Sequence, residues 1–320
     1  MPAQMTPRDI LRKYYGYPSF RGHQEEIIER VIRGEDVFVL MPTGSGKSIC
    51  YQIPAVLRRG VGLVISPLIA LMQDQVLALR QNGLRAEYLN SSLSADEAGR
   101  VEARVGSGAT DLLYVAPERL LAEGFQRFLQ CIPIALFAID EAHCVSQWGH
   151  DFRPEYLQIA EVTKRFAGVP RIALTATADA YTRRDILERL QLAQAAQFVS
   201  SFDRPNIRYR VQPRDNGKRQ LHAFIMNEHT GESGIVYVRT RKRADEVATW
   251  LVGQGIEAAS YHAGLEQSMR LERQRRFLRD PAAVIVATIA FGMGIDKPDV
   301  RFVAHLDLPT SMEAYYQETG

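Results

Sequence analysis

The 320-residue chain predicts an α/β fold in two lobes, each a mostly parallel sheet flanked by helices. Three observations predict it. Short runs that are apolar at every position recur along the chain, the mark of strands buried on both faces. Longer segments with helical spacing separate them, as crossovers between parallel strands require. The rhythm breaks once, near 200–211, and then resumes. That break divides the chain into lobes of roughly 1–203 and 204–320.

In the first lobe the strand candidates are "VFVLM" (37–41), "GLVIS" (62–66), "DLLYVA" (111–116), "ALFAID" (135–140) and "RIALTA" (171–176). Between them "LIALMQDQVLALRQNG" carries apolar residues at helical spacing. "SSFDRPNIRYRV" (200–211), with Pro205 and polar neighbours, reads as a linker or a first edge strand. The second lobe resumes with "GIVYVR" (234–239), "EAASYH" (257–262), "AVIVAT" (283–288) and "VRFVAHLD" (300–307). No repeat of 20–50 residues and no low-complexity tract interrupts this order.

At 46% hydrophobic and 24% charged residues, the composition suits two domains with their own cores. A net charge of +2 neither demands nor excludes nucleic acid, so any basic surface must be local. Cys50, Cys131 and Cys144 form no Cys-x-x-Cys pair, which suggests neither zinc nor a disulfide framework and fits a reducing compartment. "MPAQMTPRDI" lacks an apolar signal core, and no run approaches the length of a membrane span. A soluble, cytoplasmic chain with no membrane partner is expected.

"VFVLMPTGSGKSICYQIP" sets Thr43, Gly44, Ser45 and Gly46 in a turn between a strand and a helix expected to begin near Lys47. Glycines let successive backbone N–H groups converge on a phosphate, and the helix N-terminus adds partial positive charge. Lys47 would reach the β- and γ-phosphates of ATP, and the Ser48 hydroxyl would ligate Mg²⁺. The strict pattern fails at its first position, where Met41 replaces Gly; a Gly-rich turn with a surface lysine is the plainer reading. "LFAID" then ends a buried strand with Asp140 and Glu141 at the sheet edge where α/β folds place ligands. Asp140 would hold Mg²⁺ through water and Glu141 would orient or deprotonate the attacking water.

With these motifs placed, the chain resembles superfamily 2 helicases and, more closely, the RecQ-family DNA helicases. "DEAHCVSQWGHDFRPEY" (140–156) is similar to that family's aromatic-rich loop, and "YYGYPSFRGHQEEII" (14–28) to its nucleotide motif. "SPLIALMQDQV", "YVAPERL" and "ALTATA" resemble first-lobe motifs; "SFDRPNIRY", "GIVYVRTRK" and "VATIAFGMGIDKPDVRFVAH" resemble second-lobe motifs. The resemblance implies two tandem RecA-like lobes of the P-loop NTPase type, the second incomplete. It implies an ATP-dependent 3′-to-5′ helicase acting on single-stranded and forked DNA with ATP and Mg²⁺.

The resemblance also implies residue roles. Gln24 would read the adenine edge while Tyr17 and Arg21 hold base and phosphates. Trp148 and Phe152 would stack on bases, and Arg153 would pair with a phosphate or stack; otherwise Trp148 and Phe152 are core residues under a loop and His150 a satisfied polar group. His143 would bridge the acid pair to "TAT" (175–177). Ser66, Thr175 and Thr177 would hydrogen-bond phosphates, or serve as plain caps and strand ends. Arg239, with Arg241 and Lys242, would meet nucleic acid. "MRLERQRRFLRD" (269–280) reads equally as a solvated helix face or a DNA-facing one, with Leu271, Phe277 and Leu278 packed on the sheet. An RNA helicase and a nucleotide-gated clamp without catalysis are the competing readings. In the family, "YYQETG" (315–320) continues into an arginine-rich stretch and often into zinc-binding and winged-helix regions. Residues 1–320 are therefore expected to be a piece that binds Mg²⁺-ATP but hydrolyses it poorly.

Overall fold

The computed structural model describes residues 5–148, 151–200, 206–288, 291 and 297–319. Pro205, His150 and positions 289–290 and 292–296 of the last second-lobe motif lie outside them. The chain divides into two compact units, Met1–Phe202 and Asp203–Gly320.

The first unit is built on a seven-stranded sheet. Its strands are β1 (Val37–Leu40), β2 (Val61–Ile65), β3 (Ala86–Leu89), β4 (Leu112–Val115), β5 (Ile134–Ile139), β6 (Arg171–Thr175) and β7 (Ala196–Val199). They lie side by side in the order β3-β4-β2-β5-β6-β1-β7, all parallel. The five expected strands are all present. The two edge strands were not expected, for a physical reason. β3 ("AEYL") and β7 ("AQFV") show only partial burial, so neither carries an unbroken apolar run. The interior strands β1, β2, β4 and β5 are buried at every position.

Alternation along those strands feeds two apolar clusters on opposite sheet faces. Leu63, Ile65, Phe137 and Ile139 join Val145 and Tyr156 on one. Val64, Leu136 and Ala138 join Tyr51, Met72 and Tyr114 on the other. The helix over the segment after β2 runs Ile69–Gln81, as its spacing predicts. An N-terminal helix, Pro7–Ile10, capped by Thr6, leads into a π-helical turn, Leu11–Tyr15, which stops at Gly16 (φ 71°). The strand order has one consequence for function. The carboxyl ends of β1 and β5 are separated only by β6, at about 5 Å per strand step.

The second unit has a four-stranded parallel sheet in the order β11-β8-β10-β9. These are β8 (Ser233–Tyr237), β9 (Ala258–Tyr261), β10 (Val284–Ala287) and β11 (Val300–His305). Of the segment read as a linker or first edge strand (200–211), the described residues 206–211 form no strand, and Val211 is 92% exposed. The arginine-rich helix spans Gln267–Arg279. Only Phe277 packs inward, whereas Leu271 and Leu278 are exposed, correcting the expectation that all three face the sheet. Two of its arginines tie it to the β9 edge. Arg273 donates to the Ser260 carbonyl and hydroxyl, and Arg276 pairs with Glu257. Among the described residues no helix is long and apolar enough to cross a membrane.

Candidate active site

β1 ends at Leu40, and the chain turns through Thr43–Gly46 with positive φ at Gly44 (74°) and Gly46 (79°), where glycine costs least. The following helix begins at Ile49, two residues later than expected. Lys47 and Ser48 form a tighter lead-in turn, closed by Cys50 N to Lys47 O (3.0 Å) and Tyr51 N to Ser48 O (3.2 Å). The Lys47 ammonium donates to the carbonyls of Met41 (3.0 Å) and Pro42 (3.1 Å). It thus lies along the loop, within reach of both carboxyls of the acid pair electrostatically.

Gln24 is buried behind this loop. Its Nε2 donates to the carbonyls of Ser45 (3.0 Å) and Gly46 (3.3 Å), and its Oε1 accepts from Arg21 N (2.9 Å). Both ends of the amide expected to read adenine are therefore engaged with protein. Arg21 lies over the Tyr17 ring, 5.7 Å from its centroid, and both residues are exposed.

Asp140 follows β5 at the centre of the sheet. Its N–H donates to Ile65 O (2.9 Å), and its carbonyl accepts the Tyr156 hydroxyl (2.9 Å). Glu141 adopts a left-handed backbone (φ 47°, ψ 46°), which costs a non-glycine residue about 1–2 kcal/mol. That turn brings its carboxylate to 3.3 Å from Nδ1 of the buried His143. The same nitrogen lies 2.9 Å from Thr175 Oγ1 at the end of β6. Burial holds the His143 imidazole down to about 4, so it is neutral at pH 7. Burial pushes the Asp140 carboxyl up to about 7, with the Glu141 charge adding and Lys47 opposing. Burial also raises Glu141, again against Lys47.

These carboxyls lack full charge compensation, which suits a divalent cation. Burial raises the Tyr51 hydroxyl beside them, with Tyr114 and Asp140 adding and the Ser48 hydroxyl opposing. One hydroxyl and one carboxylate are the few protein oxygens Mg²⁺ takes when phosphates and water complete its shell. No group of three His, Cys, Asp or Glu suited to a metal occurs among the described residues.

The relay continues inward rather than outward. Thr175 is fully buried; its hydroxyl donates to Thr177 O (3.1 Å) and accepts from Thr177 N (3.2 Å). Thr177 and Ser66 are buried too, and the Ser66 hydroxyl has no partner among the described residues. In this conformation none of the three hydroxyls is presented to a phosphate. Trp148, by contrast, is 79% exposed, its N–H held by Ser146 Oγ (3.2 Å). It is not a core residue; Phe152 is half-buried. The Arg153 guanidinium is engaged with Asp151 (3.1 and 3.3 Å) and Pro67 O (2.8 Å) rather than projecting freely. Asp151 and Tyr156 were not singled out in sequence; the acidic neighbour two residues before Arg153 was the available signal. Arg239 stands in the second unit, after β8, its N–H bonded to Asp307 (3.0 Å), which also pairs with Arg243.

Residues 21–186 match the DEAD/DEAH box helicase family, and residues 217–320 match the helicase conserved C-terminal domain. The chain belongs to the DEAD/DEAH box helicase family. Its sequence is of the RecQ type. It is 50% identical over 320 residues to the ATP-dependent DNA helicase RecQ of Pasteurella multocida, covering 100% of this chain and 50% of that one. It is 49% identical over 315 residues to the RecQ of Haemophilus influenzae, covering 98% and 51%. The chain thus spans about half the length of the curated relatives it matches. Among solved structures, the DUF1998 helicase MrfA bound to DNA aligns with TM-score 0.76 at 18% identity, covering 100% of this chain and 47% of that one. Mss116p bound to single-stranded RNA and AMP-PNP aligns with TM-score 0.77 at 16% identity, covering 99% and 72%. These two helicases share the two-lobe RecA-like fold with the chain.

Proposed function

We propose that this helicase chain is the ATP-driven motor of a RecQ-type DNA helicase, moving 3′ to 5′ on single-stranded DNA and opening forked duplexes in repair and recombination. One observation carries the reading: a line of close polar contacts leaves the acid pair through Glu141, His143 and Thr175, while the same segment presents Trp148 to solvent. Lys47 leaves its carbonyls for the β- and γ-phosphates of ATP, Gln24 holds the loop in shape, and Tyr17 with Arg21 takes the base. Mg²⁺ would be held by Ser48 and Asp140, and when bound it would neutralise charge on the phosphate oxygens. Glu141, its carboxyl raised by burial, accepts the proton of the attacking water. Neutral His143 keeps that carboxylate aimed and reports its position to Thr175. Trp148 stacks on bases, with Arg153 and Phe152 supporting the loop, and Arg239 contributes from the second unit. Ser66, Thr175 and Thr177 reach the strand only if the loop rearranges. The names of the relatives support DNA over RNA as substrate, and a cytoplasmic or nucleoid location goes with that substrate.

The test is phosphate release with and without single-stranded DNA, for the chain and for Glu141→Gln. Glu141→Gln should lose turnover by about 100-fold or more while still binding ATP. Unchanged turnover would refute the hydrolytic role. DNA release by ATP that survives this substitution would favour a nucleotide-gated clamp, and unwinding of RNA duplexes in preference to DNA would favour an RNA helicase.

A further inference from the structure

A line of buried hydroxyl and amide groups runs behind the phosphate loop. Tyr51 and Gln52 are neighbours on the helix Ile49–Leu57, Tyr114 stands on β4, and none is more than 3% exposed. The Tyr51 and Tyr114 hydroxyls are 3.2 Å apart. Gln52 Nε2 donates to Tyr114 Oη (3.2 Å) and to Gln75 Oε1 (3.3 Å), and Gln52 Oε1 accepts from Tyr15 Oη (2.9 Å). At the near end, the Tyr51 and Gln52 N–H groups both donate to the Ser48 carbonyl (3.2 and 3.0 Å). The spacing of Ser48 and Tyr51, three residues apart on one helical turn, places them on the same side.

The surroundings do not require these polar groups. Tyr51 and Tyr114 sit in an apolar cluster with Val64, Met72 and Leu136, where phenylalanine would fill the same volume. Each buried polar group risks about 1–3 kcal/mol if its partner is lost. The groups persist along a line with defined ends. One end is Ser48, which opens the helix Ile49–Leu57. The others are Gln75, on the helix Ile69–Gln81, and Tyr15, which closes the π-helical turn just before Tyr17. This line lies on the sheet face opposite the cluster holding Val145 and Tyr156, so it is separate from the Glu141–His143–Thr175 path.

We propose that Tyr51, Tyr114 and Gln52 are positioning residues that fix Ser48 for the Mg²⁺-bound nucleotide and tie its place to the helix Ile69–Gln81. The proposal deepens the nucleotide reading above and rests on it. Movement of that helix would pull on Gln75, then Gln52 and Tyr114, and so shift the Ser48 side chain. The phosphate site is thereby given a second mechanical connection, independent of the aromatic loop.

The experiment is calorimetric titration of the chain with the non-hydrolysable imido analogue of ATP, without Mg²⁺ and over a series of Mg²⁺ concentrations. Tyr51→Phe, Tyr114→Phe, Gln52→Leu and the double Tyr51→Phe/Tyr114→Phe are compared with the parent. Each single change should raise the Mg²⁺ concentration for half-maximal tight binding about fivefold, the scale of one lost hydrogen bond. Affinity without Mg²⁺ should stay within about twofold, and the double should resemble either single, as members of one unit do. Equal weakening with and without Mg²⁺, an additive double, or a lowered melting temperature with no change in Mg²⁺ dependence overturns the proposal and leaves the network as core. If one single variant does not fold, the other two singles decide. A parent chain whose affinity ignores Mg²⁺ would instead defeat the nucleotide reading itself, an outcome visible before any variant is made.

Discussion

Gly46→Ala is the sharpest probe of the phosphate loop. Gly46 has φ 79°, and an added Cβ would lie 2.5 Å from Gln24 Nε2, closer than real contacts allow. Two costs follow. The left-handed backbone charges alanine about 1–2 kcal/mol. Displacing the Gln24 amide removes its bonds to Ser45 O and Gly46 O, each worth about 0.5–1.5 kcal/mol net. The loop conformation should therefore lose roughly 2–5 kcal/mol, or about 30-fold in nucleotide affinity at the lower end. Titration with the imido analogue of ATP measures it. The double Gln24→Ala/Gly46→Ala separates the terms: both Gln24 bonds are already gone in it, so it should bind about as weakly as Gly46→Ala, while Gln24→Ala alone lacks only the backbone cost and should bind better than either. A Gly46→Ala chain that binds within about threefold of the parent would refute the claim that Gln24 and Gly46 hold the loop together.

Three further outcomes test the rest of the site. Trp148→Ala should leave urea stability within about 0.5 kcal/mol, because the ring is exposed, yet weaken single-stranded DNA binding by about 1–3 kcal/mol in a fluorescence titration; a stability loss without a DNA effect would assign Trp148 to the fold. Thr175→Val removes the hydroxyl that partners the buried His143 Nδ1 and Thr177 N–H, so the first unit should lose about 1–3 kcal/mol in urea unfolding while Thr175→Ser does not; a valine variant as stable as the parent removes the relay. His143 is held at about 4 against 6.5 for an ordinary histidine. The unfolded chain therefore takes up a proton that the native state refuses, and stability falls as pH drops from about 6.5 toward 4. By pH 5 that contribution reaches about 2 kcal/mol, and His143→Gln should lack it; parallel stability–pH curves for the two proteins would contradict the buried neutral histidine.

The interior of the fold was legible because burial on both faces leaves an unbroken apolar run, and β1, β2, β4 and β5 each carry one. Edge strands answer to different physics. β3 and β7 meet solvent on one side, so Glu87 and Gln197 interrupt their apolar pattern and hide them from a reading by runs. The arginine-rich helix misled in the opposite direction. Three apolar residues suggested a buried stripe, but Phe277 alone anchors it, and Arg273 and Arg276 hold it by polar contacts that spacing does not reveal.

In the candidate site, residue types were readable and partners were not. The glycines, Lys47 and the acid pair follow from local chemistry: which backbone angles a turn needs, and where a sheet places its strand ends. Partnership depends on which strand ends are adjacent, and the order β5-β6-β1 is a property of the whole sheet. That order is why Thr175, at the end of β6, stands where His143 can reach it, and why its hydroxyl serves the interior of the site. Arg153 differs from the expectation for the same reason. Pro67, at the end of β2, is brought beside the segment after β5 because those strands pair, and its carbonyl takes the guanidinium. The aromatic loop is thus fastened through Arg153 to one strand end and through Tyr156 to another, with Trp148 left outside. A side chain so exposed, on a segment tied at both strand ends, adds little to the core.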